Sequence, residues 1–235
     1  MRGQAPACTR RLLFNGAAVS LASDGAFLLA FDRDAPASAT LTAERADGTR
    51  IERTLAVAPG QWRIERVNAA LTGRATSAEF RRKRAGERAR IAAARSVRSA
   101  SDGWRQAFVW PLKGCISGLF GAQRLYRGTP AAYHGGADIV APRGTPFVAP
   151  ADGVVVLAAT EPFTLEGYLL IVDHGMGLDS AFLHASTLAV KEGDTVHQGQ
   201  ILGTVGATGR ATGPHLHWAM TWNAARIDPL GLVMR

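Results

Sequence analysis

The chain contains few cysteines and few aromatic residues, and its 235 residues include no long apolar run. Two cysteines, Cys8 and Cys115, are too few for a metal knuckle or a disulfide framework. One long-range disulfide between them remains open, and so does a free buried thiol at Cys115. Because a helix needs about 18 or more apolar residues to span a bilayer, no segment of this sequence qualifies.

Residues 1–11 lack the apolar core that a signal peptide carries. Either the protein stays in the cytoplasm, or this is an exported form from which the signal has been removed. The residues themselves leave both alternatives open.

The net charge of +8 is concentrated between Arg74 and Arg98, where nine basic residues stand against two acidic ones. This pattern favours a solvated helix face that joins two domains, and a contact with an anionic polymer or membrane surface is the weaker alternative. Interleaved aromatic residues, which a single-strand-binding groove needs, are missing from the run. A nucleic-acid partner is therefore not expected.

Residues 14–67 show short alternating segments separated by turn signals, of which Asp47-Gly48 is the clearest. Residues 39–45 and 50–57, as two strands joined by this turn, are predicted to form a hairpin. We expect a small β-sandwich within a first domain, residues 1–72, and we find no catalytic cluster in it.

Residues 77–97 are rich in Ala, Arg and Glu and predict a helix, with Ser77 as the N-cap. The apolar positions Phe80, Ile91 and Ala94 are too sparse for a deeply buried helix. The sequence therefore predicts a basic helical connector on the surface, within a linker over residues 73–103.

Residues 104–235 contain many glycines and prolines between short apolar segments, which is typical of an all-β domain of stacked sheets. The strand candidates are residues 154–158, 168–172, 180–183, 200–205 and 216–220.

All six histidines follow residue 133. His215 and His217 are two apart, so on a strand they project from one face about 6.5 Å apart. One of them can bind a metal while the other reaches a substrate or a bound water, although two polar residues on a solvated sheet face would show the same spacing.

His134 and Asp138 are separated by Gly135, Gly136 and Ala137. The glycines disfavour a helix, and on an extended strand the two side chains would lie about 13 Å apart. If both reach one metal ion, the chain must bend at the glycines. The alternative is a glycine-rich turn with an incidental His and Asp.

Two histidines and one aspartate from separated segments supply three N/O ligands and leave a fourth zinc position for water. Such a water becomes a nucleophile near neutral pH. Within the three clusters at residues 134–138, 182–184 and 214–218, two further histidines are then left, His184 and His215. Imidazoles beside a metal-bound water suit acid/base catalysis and oxyanion stabilisation. The sequence contains no His-Glu-x-x-His helix, which excludes a thermolysin-like arrangement.

Three segments resemble, in the same order, the signature blocks of the lysostaphin/LytM-type zinc metallopeptidases. They are His-Gly-Gly-Ala-Asp at residues 134–138, Ser-Ala-Phe-Leu-His-Ala-Ser at residues 180–186 and Thr-Gly-Pro-His-Leu-His at residues 212–217. The resemblance covers about residues 108–233. Many members of the family have Ser-Gly-Val where this chain has residues 135–137, and Phe-Glu where it has Trp218 and Ala219, so pocket shape and substrate preference are open.

The resemblance implies a two-sheet peptidase domain with a duplicated hybrid motif, which we place over residues 104–235. Together with the small N-terminal β-sandwich and the basic connector that the residue patterns predict, the fold is expected to be mainly β. It implies one zinc ion bound by His134, Asp138 and His217. The acid/base and oxyanion roles are then assigned to His184 and His215.

The activity implied is an endopeptidase that cuts peptide cross-links or stems of peptidoglycan. We expect a D,D-endopeptidase that acts in the periplasm or cell envelope. Two alternatives stay open: a non-catalytic activator of another wall hydrolase, and a polymer-binding module that uses the basic helix. The sequence does not indicate an oligomeric state.

Five further positions complete the predictions for the peptidase domain. His174 and His197 are expected to be structural or surface residues. The aromatic residues Tyr133 and Trp218 are expected at the rim of the pocket, whereas a rim position and packing in the core are equal alternatives for Phe182.

Overall fold

The computed structural model describes residues 1–71 and 77–233. Arg74 of the basic run and the predicted boundary between residues 72 and 73 lie outside the described residues. The chain forms two compact units, Met1–Gln61 and Trp62–Arg235. The predicted three-part division into residues 1–72, 73–103 and 104–235 stays a prediction.

The first unit contains a four-stranded antiparallel sheet in the order β3-β2-β5-β6 and a two-stranded pair β1-β4. Its strands are β1 (Arg2–Gln4), β2 (Thr9–Phe14), β3 (Ala17–Val19), β4 (Ala26–Leu28), β5 (Ser38–Arg45) and β6 (Arg50–Ala56). The predicted hairpin is β5–β6. Its turn is stabilised by Asp47, whose Oδ1 accepts hydrogen bonds from the backbone N–H and the hydroxyl of Thr49 at 2.9 and 2.6 Å.

The second unit contains one long helix and the remaining strands. The helix is α1 (Ala78–Ser96), and the strands are β7 (Ile64–Val67), β8 (Cys115–Gly118), β9 (Gln123–Tyr126), β10 (Thr129–Pro130), β11 (Ala137–Val140), β12 (Pro146–Val148), β13 (Gly153–Ala158), β14 (Tyr168–Asp173), β15 (Leu178–Ala185), β16 (Thr187–Leu188), β17 (Thr195–Val196), β18 (Ile201–Thr204), β19 (His215–Trp222) and β20 (Ala225–Ile227). Short 3₁₀ helices lie at Gly103–Arg105 and Pro229–Gly231.

An eight-stranded sheet in the order β17-β13-β14-β15-β19-β11-β8, with β20 paired to β19, is the main element of the second unit. A three-stranded sheet, β12-β18-β16, supplies a second layer. Phe147 on β12 and Phe182 on β15 are both fully buried and stack at a ring-centroid distance of 5.4 Å. These contacts form a core between two sheets, and the predicted mainly β fold is confirmed.

Helix α1 begins as the sequence predicts, because the Ser77 hydroxyl accepts a hydrogen bond from the Phe80 N–H at 3.0 Å. One narrow face is not solvated: Ala94 is buried, and Ile91 packs beside it against a cluster that includes Ile171. Small residues such as alanine let a helix lie close to a sheet. The helix is thus a packed part of the second unit, although its apolar positions are few.

Both cysteines are free and exposed. The expectation of a buried thiol at Cys115 is wrong, because Cys115 lies on β8 at the edge of the large sheet with its side chain outward. Within the part of the chain that the structure describes, no helix has the length and apolar character needed to cross a membrane.

Candidate metal and catalytic site

Asp138 and His217 lie directly opposite each other on the neighbouring strands β11 and β19. Residues opposed in this way carry their side chains on the same sheet face, with Cβ atoms about 4.5–5.5 Å apart. The His217 Nδ1 atom lies 2.7 Å from Asp138 Oδ1. On the other side of Asp138, strand β8 places Gly118 opposite it.

His134 joins this pair because the chain bends at Gly135 and Gly136, as the sequence predicts. The His134 Nε2 atom lies 3.1 Å from Asp138 Oδ1 and 3.1 Å from His217 Nδ1. A Cβ atom at Gly136 would lie only 2.5 Å from the Trp218 carbonyl oxygen, so the bend requires glycine there. The Nδ1–H of His134 donates to the Leu119 carbonyl at 3.0 Å, which turns Nε2 toward Asp138.

These three residues form a group whose ligand atoms lie within 4.8 Å of one another. Burial raises the pKa of Asp138, but hydrogen bonds from His134 and His217 outweigh burial and hold the pKa well below its ordinary value. Burial lowers the pKa of His217. At neutral pH the group therefore offers a carboxylate and an unprotonated imidazole, both of which can bind a metal ion.

His184 reaches the same cleft through a bulge in β15. Tyr168 pairs with Ala185 but Leu170 pairs with Phe182, so two residues of β15 oppose one residue of β14. His184 adopts the left-handed region at φ 64° within this bulge. A bulge re-aims a side chain in this way, often beside a functional site.

His184 and His215 face each other with their ring centroids 4.9 Å apart. The Nδ1 atom of His184 lies 2.8 Å from the Thr208 carbonyl, and that of His215 lies 2.8 Å from the Gly213 carbonyl. Because a carbonyl only accepts, both Nδ1 atoms carry the proton and both Nε2 atoms are free. All five predicted site residues therefore meet in one cleft.

Burial, followed by the neighbouring charges of His215 and His217, lowers the pKa of His184 to about 4. His184 is thus neutral near pH 7, in the state that accepts a proton at Nε2. The Nε2 atom of His215 lies 3.8 Å from Asp138 Oδ1, close to the three clustered ligand atoms.

A cavity of about 500 Å³ extends from His217 and Gly135 across the sheet to helix α1. Its floor consists of apolar side chains from β14, β15 and β19, and arginines line its walls. The floor residues are Leu169, Ile171, Ala181, Leu183 and Ala219, and the arginines are Arg84, Arg88, Arg95 and Arg226.

Two of the three aromatic residues considered for the pocket rim do not lie there. Phe182 and Trp218 are fully buried, and Trp218 donates a hydrogen bond to the Ser180 hydroxyl at 3.2 Å. Phe182 takes the core position that the sequence left open, since it lies opposite Trp218 on the paired strand and shares its face. The rim prediction is wrong for Trp218, because strand neighbours alternate between faces. With His217 facing the cleft, Trp218 must face the core. Tyr133 is half-buried and packs edge-on against Phe120 at a ring-centroid distance of 5.8 Å.

The histidines outside the cleft behave as expected. His174 is fully buried, with Nδ1 2.8 Å from the Asp152 carbonyl and Nε2 2.8 Å from the Ser180 hydroxyl. His197 is exposed, with 77% of its side chain accessible.

Several residues that shape the cleft were missed from the sequence. Gly118, the Leu119 carbonyl and the Thr208 carbonyl position the ligands and His184 from segments outside the three signature blocks. A glycine in an apolar strand often marks a position that another group approaches closely. Gly118 could therefore have been identified from the sequence as such a position. For the arginines of α1, the sequence showed only a concentration of positive charge and not which of them line the cavity.

Comparison with known proteins matches residues 132–229 to the profile of Peptidase family M23. ShyA, a peptidoglycan DD-endopeptidase of Vibrio cholerae, is 41% identical over 106 residues, which are 45% of this chain and 24% of ShyA. Cell division protein DipM of Caulobacter vibrioides is 41% identical over 128 residues, 52% of this chain and 20% of DipM. The chain thus spans about a quarter or less of the length of these relatives.

A similar solved structure extends the match beyond the signature blocks. A crystal structure from Pseudomonas aeruginosa, assigned to peptidase M23, is 30% identical and aligns with a TM-score of 0.74. The alignment covers 95% of this chain and 87% of that chain. Since the likeness spans most of both proteins, this chain belongs to peptidase family M23.

Proposed function

We propose that this protein is a zinc-dependent endopeptidase that hydrolyses peptide cross-links of bacterial peptidoglycan, with D,D-endopeptidase specificity, in the periplasm or cell envelope. The observation that carries the proposal is the convergence of His134, Asp138 and His217 beside two histidines with free Nε2 atoms. Membership of peptidase family M23 and the description of ShyA as a peptidoglycan DD-endopeptidase support the substrate class.

The three clustered residues fit one zinc ion. A tetrahedral site with zinc–ligand bonds of about 2.0–2.1 Å needs ligand atoms about 3.3 Å apart. His134 Nε2, Asp138 Oδ1 and His217 Nδ1 are separated by 2.7 to 3.1 Å, so they need to spread by only a few tenths of an ångström. When bound, zinc would lower the pKa of a water to about 7 and polarise the scissile carbonyl.

His184 and His215 supply the proton transfers in this proposal. With Nδ1 protonated and hydrogen-bonded to a carbonyl, each ring presents Nε2 to the cleft in a fixed orientation. A neutral Nε2 accepts a proton from the attacking water, and the resulting imidazolium can donate it to the leaving amine. A protonated ring can also donate a hydrogen bond to the developing oxyanion.

Digestion of purified cross-linked muropeptides tests the activity. The zinc-loaded protein should convert dimers to monomers, as followed by liquid chromatography and mass spectrometry. A chelator should abolish the conversion and added zinc should restore it. If no wall type yields new peptides with zinc present, the enzyme proposal fails, and stimulation of a second hydrolase would then favour the activator alternative.

Alanine variants separate the two proposed roles. Loss of any of the three ligands should lower zinc content and activity together. Loss of either acid/base residue should leave zinc in place while activity falls by about 10²–10⁴-fold. If the His215→Ala protein loses zinc while the His217→Ala protein keeps it, the assignment within this pair is reversed.

A further inference from the structure

The cavity between His217 and helix α1 has a strong excess of positive charge. Four arginines line it, three from α1 and Arg226 from β20. Among its lining residues, all of which the structure describes, Glu166 alone carries a carboxylate. The wall is therefore cationic, whereas the floor is apolar.

Glu166 does not neutralise this charge, because Arg84 already occupies it. Both Nη atoms of Arg84 donate to the two Glu166 oxygens at 2.6 Å, a bidentate pair. Arg84 also contacts Glu87 at 3.1 Å. The lining of the cavity therefore holds four arginines against one carboxylate, and that carboxylate is bound by Arg84.

Arg95 lies beside the cavity, and neither its hydrogen-bonding groups nor its positive charge is fully matched by neighbouring groups. Its Nε atom is buried and has no hydrogen-bond partner among the described residues. Burial lowers the pKa of Arg95, Asp179 opposes this effect and the positive charge of Arg226 adds to it. Burial and the charge of Asp173 raise the pKa of Asp179 itself to about 7, so Asp179 offsets only part of the charge.

Arg226 connects this wall to the catalytic cleft. Its Cδ atom lies 3.6 Å from the position that a Cβ would take at Gly135, next to the ligand His134. Its guanidinium lies 5.4 Å from the ring centre of Tyr133. Since His217 and Gly135 also line this cavity, the arginine-lined space opens directly beside the proposed metal ligands.

We propose that Arg88, Arg95 and Arg226 form a carboxylate-binding subsite that selects substrates with a free carboxylate next to the bond that is cut. This inference rests on the proposed function. Leu183 and Ala219, the two floor residues that are only half-buried, accommodate the aliphatic part of such a residue. Guanidinium groups match carboxylates in shape and charge. In a D-alanyl–diaminopimelate cross-link, the diaminopimelate carries such a carboxylate beside the scissile amide, whereas a glycine bridge carries none.

Two matched substrates test the subsite: a cross-linked muropeptide dimer with the diaminopimelate carboxylate free, and the same dimer with that group amidated. The wild-type protein should favour the acid form in kcat/KM by about 10- to 100-fold, as expected for charge-assisted hydrogen bonds. Arg88→Gln and Arg95→Gln should each reduce this preference severalfold. Arg88 is exposed, so its replacement leaves the core intact.

Arg82→Gln provides the matched control, since Arg82 is an exposed residue of the same helix outside the cavity. It should keep the wild-type preference. The subsite is refuted if the wild-type protein cuts both dimers equally well. It is also refuted if both cavity variants lose activity on the two dimers in the same proportion, because that outcome assigns the arginines a structural role.

Binding of the uncross-linked stem peptide, in acid and amidated forms, gives a second measurement that needs no catalysis. Calorimetry with and without zinc should show tighter binding of the acid form, and Arg95→Gln should remove the difference. If the acid form binds better but no dimer is cut, the proposed activity fails while the subsite stands. Equal binding of both forms refutes the subsite even when hydrolysis is observed.

Discussion

Gly118→Ala is expected to weaken zinc binding without unfolding the protein. A Cβ atom at this position would lie 2.4 Å from Asp138 Oδ2 and 3.0 Å from His134 Cε1. Gly118 does not have a positive φ, so alanine is compatible with its backbone. The added methyl group is therefore expected to disturb mainly the positions of the two proposed ligands, Asp138 and His134.

The clash can be relieved in two ways, and both disturb the site. The Asp138 carboxylate can turn away by close to 1 Å, or the edge strand β8 can move outward. Moving β8 shifts Leu119, whose carbonyl holds the His134 ring through a 3.0 Å hydrogen bond. Loss of such a supporting contact costs about 10- to 100-fold in metal affinity, or about 1.4–2.8 kcal/mol.

Competition with a chromophoric chelator would measure the zinc affinity, and circular dichroism would verify the fold. Gly86→Ala is the matched control, because its new Cβ meets nothing within 4 Å and it lies on the exposed side of helix α1. The control should keep the wild-type affinity. A Gly118→Ala protein that binds zinc as tightly as the control would refute the reasoning.

Three further predictions concern stability. Trp218→Ala should lower the free energy of unfolding by about 3–5 kcal/mol in urea titration, since Trp218 is fully buried; a change in KM alone would contradict this. Arg84→Ala should cost about 3–5 kcal/mol by leaving Glu166 unpaired, as thermal unfolding can check. Asp179 has a raised pKa of about 7 because of burial and Asp173, so the folded state binds its proton more tightly. Relative to Asp179→Asn, wild-type stability should thus fall by up to about 4 kcal/mol as pH rises from about 4 to 7; parallel pH profiles would refute it.

Local sequence patterns were sufficient for most of the secondary structure and for the chemistry of the site. The N-cap at Ser77 and the β5–β6 hairpin depend on contacts within a few residues, which the sequence displays directly. The His134 to Asp138 spacing required a bend at the glycines, and the chain makes it. The sequence alone thereby determined a mainly β protein with five candidate site residues.

Only the tertiary structure decided which face of each strand and of helix α1 is turned toward the cleft and which toward the core. The bulge that brings His184 into the cleft arises from the pairing of β14 with β15, and no local pattern encodes it. The contact between Gly118 and Asp138 joins residues of two paired strands. The charges that dominate the composition of helix α1 predict a solvated connector. In the structure, Ala94 and Ile91 pack the helix against the sheet, and its arginines line the cavity beside the cleft. Residue types and spacing set the chemistry that is available, whereas long-range packing sets where that chemistry is directed.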